Sequence, residues 1–309
     1  STVGRCKASM ENFVGELKSL NPSVEINPVA REEDMAWMAY KSQEQRDLER
    51  AQSWPLKIST DRFINALFTD ASHLSKADRE KLLSELHTIA SDMQDVELNV
   101  SLYDIFTEEE LLAVYDLNNR RMTLHNGDVI ANNGTAARCA ISLWKKIEAD
   151  ADAAIARNGV GADLRFGHDT NLYRLLTLMG INTKGMPMDV IIPMAANLQM
   201  IFYKNAQGDV IVQLLHNEKS LGFKNWNELK LQVADHMHYL EHLRQLCALN
   251  TMVGTAPANT KTVPYRCADH HGCVPAKDAS EEGSQGSDYR RSMEGYLLPY
   301  NGRIHQIPV

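Results

Sequence analysis

His168 and Asp169 stand side by side where a predicted strand gives way to a predicted helix. Residues 162–166 have the short apolar pattern of a strand, Gly167 predicts a turn, and residues 171–179 have the spacing of an amphipathic helix. An imidazole can donate a hydrogen bond to a phosphate oxygen, and a carboxyl group can protonate a departing oxygen. The end of a strand and the start of a helix both favour bound anions. The pattern predicts a site that binds an anion and transfers a proton.

The same residues also have a purely structural interpretation. Asp169 or Thr170 could cap the helix by accepting a hydrogen bond from one of its free N–H groups. His168 would then be only a turn residue. Capping is the commoner role for an acidic or hydroxyl side chain at a helix start, so the pattern alone leaves both interpretations open.

Residues 167–172 read Gly-His-Asp-Thr-Asn-Leu and resemble, letter for letter, the second signature of bacterial phytases and related histidine acid phosphatases. The resemblance implies that His168 binds the phosphate group and that Asp169 protonates the leaving alcohol. It also implies that Thr170 contributes to substrate binding. The inositol-polyphosphate branch of this family often carries His-Ala-Glu instead, so the chain resembles the His-Asp side.

A second segment near the start of the chain carries the same resemblance. Arg5 stands eight residues before Phe13, on a helix predicted over residues 7–20, and the family has an Arg at this spacing from a helix Phe. That Arg holds a phosphate oxygen, a role that suits a guanidinium group because its fork matches two oxygens at once. The alternative is a surface Arg at a helix start. The order of the segments is also that of the family, and the resemblance covers about residues 1–220.

The sequence lacks the segment that carries the nucleophile in this family. That signature, Arg-His-Gly-x-Arg-x-Pro, holds the nucleophilic His and two phosphate-binding Arg residues, and no Arg-His-Gly occurs among the 309 residues. Residues 270–275, His-His-Gly-Cys-Val-Pro, lack both Arg residues and lie at the wrong end. We expect an N-terminally truncated phosphomonoesterase, which would work through a phosphohistidine intermediate and is inactive as given. A non-catalytic phosphate-binding or interaction protein derived from the same fold is the alternative.

The predicted architecture is α/β, with a central mixed sheet flanked by helices and a mostly helical insert domain. The predicted strands are residues 24–26, 162–166, 190–192, 198–203 and 210–215, of which the last two form a hairpin. We assign residues 1–30 and 135–250 to the phosphatase core, whose first strand is missing. Residues 31–134 form the helical insert, and residues 251–309, rich in Gly, Ser and Pro, form an irregular tail.

The net charge and the lengths of the apolar runs indicate which kinds of partner the chain could bind. The chain has 32 Lys and Arg against 40 Asp and Glu, a net charge of −8, which argues against a general nucleic-acid binder. No apolar run is long enough to cross a bilayer. The expected partner is a small-molecule phosphate ester, and no cofactor or metal is implied. The resemblance implies a periplasmic or secreted protein, although no signal peptide is visible in the sequence.

The chain has five cysteines, too few and too scattered for a disulfide framework. Cys267, His270, His271 and Cys273 cluster in the tail and could ligate zinc. Their Cys-x5-Cys spacing is unlike that of structural zinc sites. A disulfide or free tail residues is the favoured interpretation, and a small zinc-binding module remains the rival.

Overall fold

The computed structural model describes residues 1–51, 54–93, 96, 100–157, 161–253, 265–267 and 273–275. The chain divides into two compact units, Ser1–Cys247 and Ala248–Val309. The first unit is rich in helix and contains one small sheet, so the broad α/β class is as predicted. A central mixed sheet flanked by helices is not seen among the described residues.

Eleven α-helices are described. They are α1 Gly4–Leu20, α2 Met35–Met38, α3 Gln43–Ala51, α4 Asp61–Leu67, α5 Lys76–Asp92, α6 Glu108–Met122, α7 Thr135–Cys139, α8 Ile141–Ala156, α9 Asp169–Leu178, α10 Met188–Ile191 and α11 Trp226–Val253. A π-helical turn, Thr123–Gly127, extends α6. No helix among the described residues is long and apolar enough to cross a membrane.

The sheet of the first unit is antiparallel, in the order β1-β2-β3. Its strands are β1 Leu198–Lys204, β2 Val210–His216 and β3 Lys219–Asn225. The hairpin predicted for β1 and β2 is therefore confirmed. The third strand was not predicted. It follows a two-residue turn in which Asn217 and Glu218 both have positive φ, 49° and 62°. Hairpin turns of this type usually carry Gly at the second position, so the usual sequence signal is absent.

Three predicted strands are wrong. Residues 24–26 and 162–166 have no strand partner among the described residues, and residues 190–192 overlap the short helix α10. The apolar pattern at residues 190–192 reports burial, because Ile191 is fully buried against Tyr173 and Leu176. A β-branched run becomes a strand only where a neighbouring strand pairs with it.

The described part of residues 31–134 contains helices and no strand, as predicted for this stretch. It has its own apolar cluster, which includes Phe63, Leu83 and Val114. A capping box begins α6, since Thr107 and Glu110 accept hydrogen bonds from each other's backbone N–H groups. Whether this stretch is a separate insert domain stays a prediction.

The main core lies between the sheet and helices α8, α9 and α11. It contains Trp144, Leu178, Val212 and Trp226, all nearly or fully buried. The Trp226 ring meets the Phe202 ring edge-on at 5.1 Å, which ties α11 to β1. Helix α9 is buried over residues 173–178, and its first residue follows His168 directly.

The tail carries the strands of the second unit. Within it, β4 Tyr265–Cys267 pairs antiparallel with β5 Cys273–Pro275. The rest of the predicted irregular tail from residue 254 onward lies outside the described residues. His270 and His271 of the Cys/His cluster in the tail lie outside them too.

His236 joins α11 to the end of α9 and should make stability depend on pH. Its Nδ1 lies 2.8 Å from the Leu178 carbonyl oxygen, which can only accept, so Nδ1 carries the proton. Burial lowers the pKa of His236 and outweighs the opposing effect of this hydrogen bond. The unfolded chain then binds more protons than the folded chain below about pH 6.5, so acid favours unfolding. We expect the free energy of unfolding to fall as the pH drops through this value.

Urea unfolding at about pH 7.5 and about pH 5 measures this dependence. Burial also lowers the pKa of His87, His125 and His168, so the informative quantity is the difference between variants. His236→Asn keeps an N–H donor but cannot ionise, and should reduce the pH dependence. The exposed His238→Asn is the matched control and should leave it unchanged. Equal pH dependence in both variants would contradict the assignment to His236.

Candidate functional site

Arg5 and His168 meet in the structure. The Arg5 Nη2 atom lies 3.1 Å from the His168 Nδ1 atom, although 163 residues separate them in sequence. Arg5 lies in the first turn of α1, and His168 occupies the N-cap position of α9. The two segments that carry the motifs therefore meet at one place in the structure. It is not at the edge of a sheet, because residues 162–166 form no strand.

Helix α1 is held against the segment that leads into His168. The Cys6 thiol donates to the Gly167 carbonyl oxygen at 3.3 Å, and the Ser1 amino group donates to the Phe166 carbonyl oxygen at 2.9 Å. Two turns further along α1, the Phe13 ring packs on the Phe166 ring at 5.7 Å. These contacts explain why an Arg and a Phe eight residues apart fit this segment, since both lie on the helix face that meets it.

Helix α9 is fixed from its buried side by polar contacts. The Asn171 amide donates to the Met38 carbonyl oxygen at 2.8 Å. Arg174, with 2% of its side chain exposed, donates to Asn126 Oδ1 at 2.8 Å and to Glu49 Oε1 at 3.1 Å. Sequence reasoning missed these residues. The one available signal was a charged residue, Arg174, in an otherwise apolar run at the centre of α9.

Asp169 and Thr170 open α9 beside His168. The exposed Asp169 carboxylate accepts a hydrogen bond from the Thr170 backbone N–H at 2.7 Å. It therefore satisfies one free N–H of the helix start, although the N-cap position itself is occupied by His168 and not by Asp169 or Thr170. No other hydrogen bond to this carboxylate occurs in the described part of the chain. A carboxyl group with one unoccupied oxygen on an exposed helix start can also exchange a proton with a ligand.

The charge state of His168 follows from its surroundings. Burial lowers its pKa first, the Arg5 cation and the Ser1 amino group lower it further, and the Asp169 carboxylate opposes them. Arg5 can only donate, so Nδ1 must accept and cannot carry a proton. The other ring nitrogen, Nε2, lies 3.3 Å from the Ser1 hydroxyl oxygen and carries the hydrogen. The ring is therefore neutral in this arrangement.

None of the predicted site residues lines the cavity beside helix α6. That cavity, of about 440 Å³, lies between residues 55–58 and helix α6, and its lining includes Lys57, Leu112, Asp116 and Arg120. The Arg5–His168 cluster is instead partly open, since the Arg5 and Asp169 side chains are exposed. Within the described residues, no three His, Cys, Asp or Glu side chains are grouped closely enough to hold a metal ion.

Comparison with known proteins does not assign the chain to a family. The chain matches no protein-family model and no curated protein sequence. Any functional assignment therefore rests on the two motifs and on the contacts of the residues within them.

Proposed function

We propose that Arg5 and His168 bind the phosphoryl group of a phosphate monoester, with Thr170 alongside, and that Asp169 is the general acid. This is the division of roles in the histidine acid phosphatases that the motifs resemble. The observation that carries the proposal is the 3.1 Å contact between Arg5 and His168. Two segments singled out by separate motifs, 163 residues apart, come together at the two residues that the resemblance makes phosphate ligands.

The chemistry of these side chains supports an anion site. A guanidinium group presents paired donors to two oxygens, and a His168 ring that is protonated when the anion binds would present one more. Arg5 is exposed and has no carboxylate partner among the described residues, so its charge is not already neutralised. The start of α9 adds the partial positive charge of a helix N-terminus. Asp169 lies on that same helix start, where a leaving oxygen could receive its proton.

A complete enzyme of this kind needs the Arg-His-Gly-x-Arg-x-Pro segment. Its His would attack phosphorus to give a phosphohistidine, as Asp169 protonates the leaving alcohol, and water would then hydrolyse the intermediate. The predicted central sheet belongs to the same proposal. The proposal also includes the division of the chain into a core, residues 1–30 and 135–250, and a helical insert, residues 31–134. It includes a periplasmic or secreted location as well.

A non-catalytic phosphate-binding protein is the second candidate. It is favoured by one specific observation: the sequence carries the anion-binding residues Arg5 and His168 but no Arg-His-Gly. Both candidate functions require that phosphate binds to Arg5 and His168. They differ in whether the complete protein hydrolyses a phosphate ester.

Phosphate binding can be tested on the purified chain. We expect inorganic phosphate to bind, and Arg5→Gln to weaken binding by roughly tenfold or more, since a hydrogen bond to a charged group contributes about 1.5–3 kcal/mol. Lys7→Gln removes the same charge from an exposed position on the same helix and is the matched control. Asp169→Asn should retain binding, because it removes a negative charge near the anion. Phosphorus NMR titration measures all four proteins.

Two outcomes would contradict the proposed site. Equal weakening in Arg5→Gln and Lys7→Gln would show that phosphate responds only to overall charge. Absence of phosphate binding to the unaltered chain would remove the basis of both candidate functions.

A further inference from the structure

The contact between Arg5 and His168 has a direction that matters for any anion bound there. A guanidinium group has five N–H donors and no acceptor, so His168 Nδ1 must offer its lone pair to Arg5 Nη2 at 3.1 Å. The remaining N–H of the ring, at Nε2, is turned to the Ser1 hydroxyl oxygen at 3.3 Å. In this state His168 offers no free donor to an anion.

An anion bound to Arg5 favours His168 Nδ1 as a hydrogen-bond donor and no longer as an acceptor. An oxygen that takes a hydrogen bond from Arg5 Nη2 lies next to the Nδ1 lone pair, so two acceptors would face each other. This arrangement is unfavourable in a partly buried place, where unmet polar groups cost free energy. It becomes favourable when Nδ1 gains a proton and donates to the anion.

We infer that this site binds an oxyanion together with one proton, which is held on His168 Nδ1. The inference rests on the proposed function and specifies the form of ligand that the same site takes. A phosphate dianion plus a proton from water, or a phosphate monoanion that hands over its own proton, gives the same complex. In that complex both Arg5 and His168 donate to the anion, and their direct contact is broken.

The groups that face His168 account for the change in its protonation. Helix α1 supplies the Arg5 guanidinium and the Cys6 thiol, whose sulfur lies 4.0 Å from both ring nitrogens. The chain start supplies the Ser1 amino group, and α9 supplies the Asp169 carboxylate. In the free protein, burial and the two cations keep the ring neutral. A dianion within about 4 Å reverses the balance of charge and raises the pKa of His168.

Sulfate shows whether the proton comes from solvent or from the ligand, because sulfate carries no proton of its own near neutral pH. Calorimetric titration with sulfate at about pH 7.5, in two buffers with different heats of ionisation, gives the number of protons taken up. We expect about one proton per sulfate, and an affinity that rises about tenfold for each unit of pH decrease in this range. Inorganic phosphate should show the same uptake where it is mostly dianionic, and less where it is mostly monoanionic.

His168→Gln and Asp169→Asn identify the group that takes the proton. Gln offers an N–H donor that does not titrate, so His168→Gln should bind sulfate with no proton uptake, whereas Asp169→Asn should keep it. Circular dichroism checks that both variants are folded. Sulfate binding to the unaltered chain without proton uptake overturns this inference and leaves the proposed function standing. Proton uptake that persists in His168→Gln also overturns it. Absence of binding by both anions overturns the proposed function and the inference with it.

Discussion

The purified chain of 309 residues should release no phosphate from phytate or an aryl phosphate above the uncatalysed rate. Covalent phosphoryl transfer needs a nucleophile in line with the leaving oxygen, and removing a nucleophile from an enzyme costs on the order of 10⁶ in rate. The sequence has no Arg-His-Gly, so it contains neither the nucleophilic His nor the two Arg residues of that signature in the phosphatases that it resembles. Each of those Arg residues would contact a group that gathers negative charge in the transition state.

The nucleophilic side chains near the site do not replace the missing one. His168 Nδ1 faces Arg5, and Nε2 faces the Ser1 hydroxyl, so both ring nitrogens are engaged. Under the proposed function His168 flanks the phosphate as a donor, and a protonated ring has no lone pair with which to attack. Cys6 is 5% exposed, and its thiol donates to the Gly167 carbonyl oxygen.

Phosphate release is measured with and without a chelator, on the unaltered chain and on His168→Ala. Background rates in both proteins agree with the expectation. Turnover that survives the chelator and is abolished by His168→Ala would show that the nucleophile lies within this chain. The phosphohistidine proposal would then need a different histidine in the attacking role.

Features that depend on neighbours in sequence were predictable, and the hairpin of β1 and β2 is an example. Its alternating apolar residues and the turn at residues 205–209 define it without reference to any distant segment. The capping box of Thr107 and Glu110 is equally local, because its sequence signal is a Thr followed three residues later by a Glu. Each signal lies within a few residues of the element that it specifies.

Features that depend on distant partners were not predictable in the same way. Residues 162–166 have the composition of a strand, but strand formation requires a paired neighbour, and none is present among the described residues. The ion pair of Arg174 with Glu49 joins positions 125 residues apart, and neither residue carries a local mark of its partner. In the sequence, Arg5 and His168 are connected only because their two motifs occur in the same order as in the family that the chain resembles. The direction of their hydrogen bond, which sets the tautomer of the His168 ring, depends on a three-dimensional arrangement that neither motif specifies.

Glu49→Gln should destabilise the fold by about 3 kcal/mol, because it leaves the buried Arg174 cation without its carboxylate. The Arg174 side chain is 2% exposed and donates to Glu49 Oε1 at 3.1 Å. Glu49 also accepts from the Gln45 amide and from Lys41 Nζ, at 2.9 and 2.8 Å. Gln preserves the size and one oxygen acceptor, so the variant changes charge with little change in packing. Arg174 would then have only neutral oxygens as hydrogen-bond acceptors, those of Asn126 and of the introduced Gln.

Asp47→Asn is the matched control, on the same helix α3 and two residues away. Asp47 pairs with Arg50, but the two side chains are 61% and 72% exposed, so this substitution should change the free energy of unfolding by about 0.5 kcal/mol or less. Urea unfolding at neutral pH compares the two variants. If Glu49→Gln lowered the free energy of unfolding as little as Asp47→Asn does, the Glu49 carboxylate would not be what stabilises the buried Arg174 cation.

A double substitution separates the cost of an unpaired cation from the value of the pair. Replacing both Glu49 and Arg174 with Met removes the buried charges together, and should recover much of the stability that Glu49→Gln loses. The recovery is expected to be incomplete, since Lys41 loses its partner and Asn126 its donor. Because Arg174 fixes the helix whose first residues are Asp169 and Thr170, Glu49→Gln should also weaken phosphate binding. Full phosphate binding in a destabilised Glu49→Gln variant would show that the site does not depend on how α9 is held.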